Sequence, residues 1–313
     1  MTATIVDMAH IALLTLEDRT GYVIDDALVV QELVRRGMQA VEIPWSAPGV
    51  DWSRFDLVIV RTTWDYHLRP AEFLDTLAVI EASGTTLENP RDLIVWNLDK
   101  RYLRDLASRG VPIVPSIWSD ARGMHDFTAL FAELASAEIV VKPVVSANAV
   151  DTFRLHEPLD ADTVDTLTRT FANRPWFAQP FVQSVLTDGE ISLFYFAGTL
   201  SHAVRKVPKT GDFRVQEDHG GDITPLDIAD DVRMAADRVI HALRPLPLQA
   251  RVDLVRLDDG TLALMELEMI EPSLYFRCDA ASPARFADAI ATVLERAQHA
   301  SDTRAESPDV MVR

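Results

Sequence analysis

The chain has 313 residues, 48% of them hydrophobic, with a formal net charge of −18 and a sequence pI of about 4.8. That much apolar sequence supports two or three lobes, whereas an acidic surface repels phosphate backbones and argues against nucleic-acid binding. A single cysteine, Cys278, excludes an internal disulfide and a Cys-rich zinc site and fits a reducing, cytoplasmic setting; there is no basic n-region with an apolar h-region at the start, and no apolar run near the roughly 18–20 residues that cross a bilayer.

Ile11–Leu16 predicts a first strand. Asp25 and Asp26 precede Ala27–Arg36, which reads as a helix capped by an acid and stopped by Gly37. Ala40–Trp45 and Leu57–Thr62 read as strands, and Pro70–Ala82 as a helix with Pro at its start and Gly84 past its end. This alternation predicts an open, largely parallel α/β lobe over residues 1–95. From Asn97 through Lys100 the pattern opens a helix running to Gly110, and Val111–Trp118 is extended. Phe127–Ala135 reads as helix, Glu138–Pro143 as strand, Asp160–Ala172 as amphipathic helix and Trp176–Val182 as strand, giving a small α+β lobe over 96–182. Residues 183–300 form a third lobe with an antiparallel sheet. Ile191–Phe196 and Thr199–Arg205 flank an Ala197-Gly198 turn, then come a long polar loop, Pro208–Asp222, and a helix, Asp227–Leu243. A second hairpin turns near Asp258, Asp259 and Gly260, and Pro283–Gln298 closes the lobe as a helix. Residues 301–313 read as a flexible tail.

The second hairpin is the most informative stretch. With Asp259 and Gly260 as a two-residue turn, Asp258 faces Thr261, Asp253 lies opposite Glu266, and Arg251 opposite Glu268, all four of the latter on one face. Val252, Leu254, Met265 and Leu267 take the apolar face. Directly opposed carboxylates destabilise a sheet unless neutralised, and Mg²⁺ bridging Asp253, Glu266 and Glu268 to substrate phosphates supplies that neutralisation. The plainer alternative pairs Arg251 with Glu268 and leaves the other acids solvated.

Lys142 ends a buried strand and must reach solvent or a fixed anion. Ser146, Ala147 and Asn148 follow it as small residues that let backbone N–H groups approach phosphate. Lys100, in the first turn of a helix preceded by Asn97, adds to an anion site. In the first hairpin Glu190 faces Arg205, leaving Lys206 on the other side. The loop after it carries Lys206, Lys209 and Arg214 between glycines, at a length that suits a functional element.

In order, Lys100, Lys142, Gln179-Pro180-Phe181-Val182, the cationic loop, Asp253 and Glu266-Leu267-Glu268 resemble the ATP-grasp superfamily over nearly the whole chain, within it the bacterial glutathione synthetase group. In that group the segment matching Lys206–Pro208 carries Arg, Arg214 matches a loop arginine, and the closing motif is Glu-x-Asn where this chain has Glu268. Arg61-Thr-Thr-Trp64-Asp65-Tyr66, the stretch from Trp96 to Leu103, and Glu266 through Ser273 are similar to the O-ureido-serine cyclo-ligases of cycloserine biosynthesis.

The resemblance implies the fold itself, with ATP between the central and C-terminal lobes. It implies phosphates on Lys100, Lys142 and Ser146, adenine along Gln179–Val182 with Glu190 nearby, and one or two Mg²⁺ on Asp253, Glu266 and Glu268. The expected reaction activates a substrate carboxylate as an acyl phosphate and passes it to an amine-like nucleophile, with Lys206 and Arg214 as the catalytic cations. The substrate site is expected at Trp64, Asp65 and Tyr66, which follow a strand's carboxyl end, with Asp65 taking an ammonium and Arg251, Glu271 and Ser273 opposite. Two alternatives stand beside this: an intramolecular cyclo-ligase, and a nucleotide-binding regulator without catalysis. Small-molecule substrates are the expected partners, with no nucleic acid and no membrane, and the oligomeric state is left open between monomer and homodimer.

Overall fold

The computed structural model describes residues 9–120, 126–146 and 148–305, and its first sheet explains why the early strands read as unbroken apolar runs. β1 (His10–Thr15), β2 (Gln39–Pro44), β3 (Leu57–Thr62) and β4 (Thr86–Glu88) pair in the order β2-β1-β3-β4, all parallel. Both faces are covered, as parallel sheets require. Ile11, Leu13, Leu57 and Ile59 pack on α1 (Asp26–Arg35) and α9 (Ser282–Ala305), while Ala12, Leu14, Val58 and Val60 pack on Phe73, Leu77 and Ile80 of α2 (Pro70–Ala82).

The expected acid cap of α1 is not formed. Asp25 sits in the helical region and its side chain accepts nothing from the helix. Its carboxylate takes Arg277 at 2.7 Å, and that of Asp26 takes the buried Arg61 at 2.7 Å. Arg61 is buried, and its guanidinium left unpaired would cost far more than an uncapped helix end, whereas Asp25 is drawn off by the partly exposed Arg277.

The helix expected from Asn97 to Gly110 is two helices, α3 (Arg91–Leu98) and α4 (Tyr102–Ser108), with extended backbone at Asp99. Lys100 therefore lies in the break rather than in a first helical turn, and its N–H donates to Val144 O at 2.7 Å.

A small antiparallel sheet follows in the order β5-β8-β6-β7, made of β5 (Ile117–Ser119), β6 (Glu138–Pro143), β7 (Phe153–His156) and β8 (Trp176–Pro180). One face packs on α5 (Ala129–Glu133) and α6 (Ala161–Phe171). The larger antiparallel sheet runs β11-β10-β9-β12-β13, from β9 (Glu190–Phe196), β10 (Thr199–Val207), β11 (Asp222–Pro225), β12 (Gln249–Arg256) and β13 (Leu262–Glu268). α7 (Ser184–Thr187) precedes it, and α8 (Asp230–His241) covers one of its faces through Val232, Ala236, Val239 and Ile240.

The other face changes character along its length. Phe194, Phe196 and Val204 are sealed under α9, while Glu190 and Ser192, in step with them on β9, reach the opening between the sheets. α9 continues through Ala305, so the expected tail begins in backbone that is still helical; residues 306–313 lie outside the described residues.

His202 shows how tightly the α9 side is closed. Its ring stacks on Phe194 with centroids 4.3 Å apart and its Nε2 lies 2.9 Å from Leu274 O. Burial pushes its pKa down to about 4 from 6.5. A depressed folded value means stability that is fully present above pH 6.5 and is lost as pH falls towards 4, at up to about 1.4 kcal/mol per unit. Urea unfolding across this range should show the gap between wild type and His202→Gln narrowing as pH falls; a pH-independent gap would contradict a neutral buried ring.

Candidate active site

Two hairpin irregularities decide which side chains meet. In the β12–β13 hairpin the turn is a three-residue loop, closed by Leu257 N to Thr261 O at 2.9 Å, with Gly260 at φ 86°. Alone this would slip the register by one. A bulge opposite the Asp253/Leu254 step leaves Met265 unpaired and restores it, so Asp253 lies opposite Glu266 and Arg251 opposite Glu268, as expected. Met265 leaves the apolar face assigned to it, and its Sδ lies 3.9 Å from Lys142 Nζ.

In the β9–β10 hairpin a bulge between Leu200 and His202 puts Lys206, not Arg205, opposite Glu190. The expected Glu190–Arg205 pair is thereby replaced by Lys206 Nζ at 2.5 Å from the Glu190 carboxylate and 3.4 Å from Asp253 Oδ1.

The result is a charge cluster spanning two facing sheets. Arg251 holds Asp253 through Nε and Nη2 at 2.8–3.0 Å and reaches Glu268 at 2.5 Å. Ser192 Oγ donates to Asp253 at 2.5 Å. Lys100 Nζ lies 2.9 Å from Glu266 Oε1 and donates to Ser146 O at 2.9 Å. Lys142, from the small sheet, has no carboxylate within ion-pair distance among the described residues; it sits over the Phe177 ring at 5.0 Å. Burial lowers its pKa to about 8. Burial raises Glu268 to about 7, against the pull of Arg251 and helped by Glu266, and raises Glu271 to about 8, helped by Glu268. Acids held up and a lysine held down mark a site short of both a cation and an anion. Asp253, Glu266 and Glu268 offer carboxylate oxygens within 4.8 Å of one another.

Of the residues assigned to nucleotide, metal, substrate or catalysis from sequence, all but Asp65 and Asp253 line this cleft. Asp253 is buried behind Arg251 and Lys206. Asp65 stands outside the cleft lining, where its Oδ1 accepts from Trp45 Nε1 at 2.7 Å and its Oδ2 lies 3.7 Å from Arg69. The Ser146 carbonyl accepts from Lys100 Nζ at 2.9 Å, and Ala147 lies outside the described residues. Arg214 faces the cleft with its guanidinium on Asp212 at 2.7 Å. The Phe181 N–H is committed to Glu138 O at 2.8 Å, and Gln179 Nε2 donates to Ser116 at 3.0 Å. Tyr66 is buried with its hydroxyl beside the Glu271 carboxyl, and burial followed by that acid raises its pKa well above 10.

Sequence reasoning missed how the wall after β13 is held. That segment is at a sheet edge, and side chains take the place of a neighbouring strand. Asn97 donates to Leu267 O at 2.8 Å and accepts from Met269 N at 2.8 Å. Asn89 donates to Met269 O at 2.6 Å, Gln249 to Ile270 O at 3.3 Å, Trp64 Nε1 to Glu271 O at 2.9 Å and Arg61 to Pro272 O at 3.4 Å. The pinning of the polar loop was equally invisible: Arg277 bridges Glu217 at 2.6 Å and Asp25 at 2.7 Å. No local pattern links positions so far apart in sequence.

Residues 11–89 match the family described as D-cycloserine synthetase DcsG, N-terminal domain. Over 277 residues the chain is 37% identical to the cycloserine biosynthesis protein DcsG of Streptomyces lavendulae, spanning 83% of this chain and 90% of that protein. The crystal structure of D-cycloserine synthetase DcsG superposes with a TM-score of 0.80 at 33% identity, covering 91% of this chain and 99% of that one. The ATP-grasp ligase PsnB, complexed with minimal precursor, Mg and ADP, gives 0.61 at 16% identity over 91% and 98%. D-alanine–D-alanine ligase from Bacillus anthracis complexed with ATP gives 0.62 at 13% over 95% and 99%. At those lower identities the likeness is one of fold, and the fold is ATP-grasp.

The Lys142 environment is directly measurable. Its amine should titrate near pH 8 in the free protein, read by NMR of a lysine-labelled sample or by the pH profile of its acylation. A midpoint near 10.5 would mean the side chain is solvated rather than held against Phe177.

Proposed function

This chain belongs to the D-cycloserine synthetase family of ATP-grasp ligases, and from that premise we propose that its cleft activates a substrate carboxylate with ATP and joins it to an amine-like nucleophile, releasing ADP. The protein is an ATP-dependent ligase; the roles of its residues are our assignment. The observation that carries them is the cluster itself, with Lys142 short of an anion opposite a set of acids short of a cation.

Lys100 and Lys142 hold the nucleotide phosphates from the break between α3 and α4 and from the end of β6. The adenine lies along Gln179–Val182, with Glu190 at the near end of β9. The oxygen-only set of Asp253, Glu266 and Glu268 suits Mg²⁺, and the raised pKa of Glu268 agrees with a cation taking up its charge. When bound, Mg²⁺ supplies charge neutralisation on the phosphates.

The carboxylate oxygen of the substrate attacks the γ-phosphorus, ADP leaves, and the acyl phosphate passes its acyl group to the nucleophile with loss of phosphate. Lys206 and Arg251 present fixed positive charge on one sheet face where negative charge builds up on the transferring phosphoryl and acyl oxygens. Arg214 joins them by leaving Asp212. The loop at Pro208–Asp222 excludes water from the acyl phosphate. Trp64, Tyr66, Glu271 and Ser273 form the substrate wall, where Glu271 receives an ammonium or other N–H group.

A second reading, intramolecular closure of an O-ureido-serine-like substrate, is favoured by the relative named for cycloserine biosynthesis. The two readings differ in whether ADP release needs one organic substrate or two. A screen of amino acids and ureido or hydroxamate analogues, singly and in pairs, separates them, and no ADP with any would support a non-catalytic nucleotide-binding protein. Glu266→Gln and Lys142→Ala should each lower kcat/KM by about 100-fold or more; changes within a few-fold would sink these assignments.

A further inference from the structure

Glu271 stands where nothing in its own strand can fix it. β13 ends at Glu268, and three residues later the chain has no strand neighbour to hold its backbone. Its carbonyl is instead held by the indole N–H of Trp64 at 2.9 Å, and the flanking carbonyls of Ile270 and Pro272 by Gln249 and Arg61. Trp64 in turn is steadied by Tyr22, with ring centroids 5.1 Å apart, and follows directly on β3 through Thr62 and Thr63, both buried. The hydroxyl of Tyr66, two residues on, lies beside the Glu271 carboxyl. One tight turn of the N-terminal lobe thus holds the main chain of Glu271 through Trp64 and sets Tyr66 close to its carboxyl.

We propose that Trp64 is a positioning residue: its indole N–H sets the direction in which Glu271 presents its carboxyl to the N–H-bearing end of the substrate. The inference rests on the assignment of Glu271 to the substrate wall. Its content is that Trp64 contributes through a hydrogen bond to backbone, beyond the flat surface that any aromatic residue would give. A carboxyl one bond-rotation out of line loses its hydrogen bond to the substrate while the nucleotide end, built on other elements, is untouched.

Trp64→Phe keeps a ring against Tyr22 and removes only the donor. It should raise KM for the amine-bearing substrate about 3–10-fold, the size expected for one lost hydrogen bond, with KM for ATP unchanged and the thermal midpoint lowered by only a few degrees for the unsatisfied Glu271 carbonyl. Trp45→Phe, the same chemical change at an indole that serves Asp65 away from the cleft, should leave both KM values where they are. The decisive measurement is the cycle with Glu271→Gln. If Trp64 acts through Glu271, adding Trp64→Phe to Glu271→Gln changes substrate KM no further. Effects that multiply, a matching rise in KM for ATP, or no effect of Trp64→Phe would overturn the positioning role while Glu271 keeps its place. If Glu271→Gln alone leaves substrate KM unaltered, the assignment of Glu271 fails first and the inference falls with it.

Discussion

Glu190, Glu266, Glu268 and Glu271 face one cleft with Lys100, Lys142, Lys206 and Arg251, Asp253 lies directly behind them, and the fold is organised around what it takes to keep these groups charged and in place. A buried ion without a partner costs several kcal/mol, and partners repay it only with good geometry. Asp253 meets that condition completely, with Arg251 on two atoms, Ser192 on a third contact and Lys206 close by. It is the fixed anion that orients two cations towards the cleft. Glu268, Glu271 and Lys142 do not meet it, and their displaced pKa values record the shortfall. Rigid pairing at the back and frustration at the front is the arrangement expected where ligands supply the missing charge.

That division also explains why the N-terminal lobe is needed. β13 is an edge strand, and an edge leaves backbone groups unpaired. Beyond Glu268 the chain turns under the N-terminal sheet, where those groups are buried and must be satisfied. Asn89, Trp64 and Arg61 come from that lobe, Asn97 from α3 and Gln249 from β12. Arg61 is itself held by Asp26 and Gln249, both at 2.7 Å, so the buried pair that displaced a helix cap is part of the same support. The wall of the cleft is thus a joint product of two lobes.

How much of this was legible follows from the range of each signal. Strands and helices came through wherever apolar period and breakers act locally: β3, β6 and α2 have the limits their sequences suggest. Turn chemistry located both hairpins, yet neither bulge is encoded in residue types that sequence patterning can weigh. In the second hairpin the longer loop and the bulge at Met265 offset each other, and the facing pair Asp253–Glu266 survived. In the first, the bulge had no such offset, and Glu190 met Lys206 instead of Arg205. Asn97 looked like the start of a helix because asparagine favours caps, whereas its amide serves backbone 170 residues away. Asp65 looked like a ligand because an acid after a strand is well placed for one, yet it points out of the cleft lining to an indole N–H that no local pattern announces.

The departure from Glu-x-Asn at Glu268 finds its physical sense in the same cluster. An amide there would add no charge, whereas Glu268 adds a carboxylate beside Glu266 and Asp253, which like-charge repulsion makes costly. Arg251 reaches past Asp253 to meet it at 2.5 Å, so the guanidinium spans two acids on facing strands. The surplus negative charge is therefore shared out, with one planar group spanning Asp253 on β12 and Glu268 on β13 while Lys100 takes Glu266. One arginine is thus the counter-ion for an acid of β12 and an acid of β13, and the charge balance of both rests on the same group.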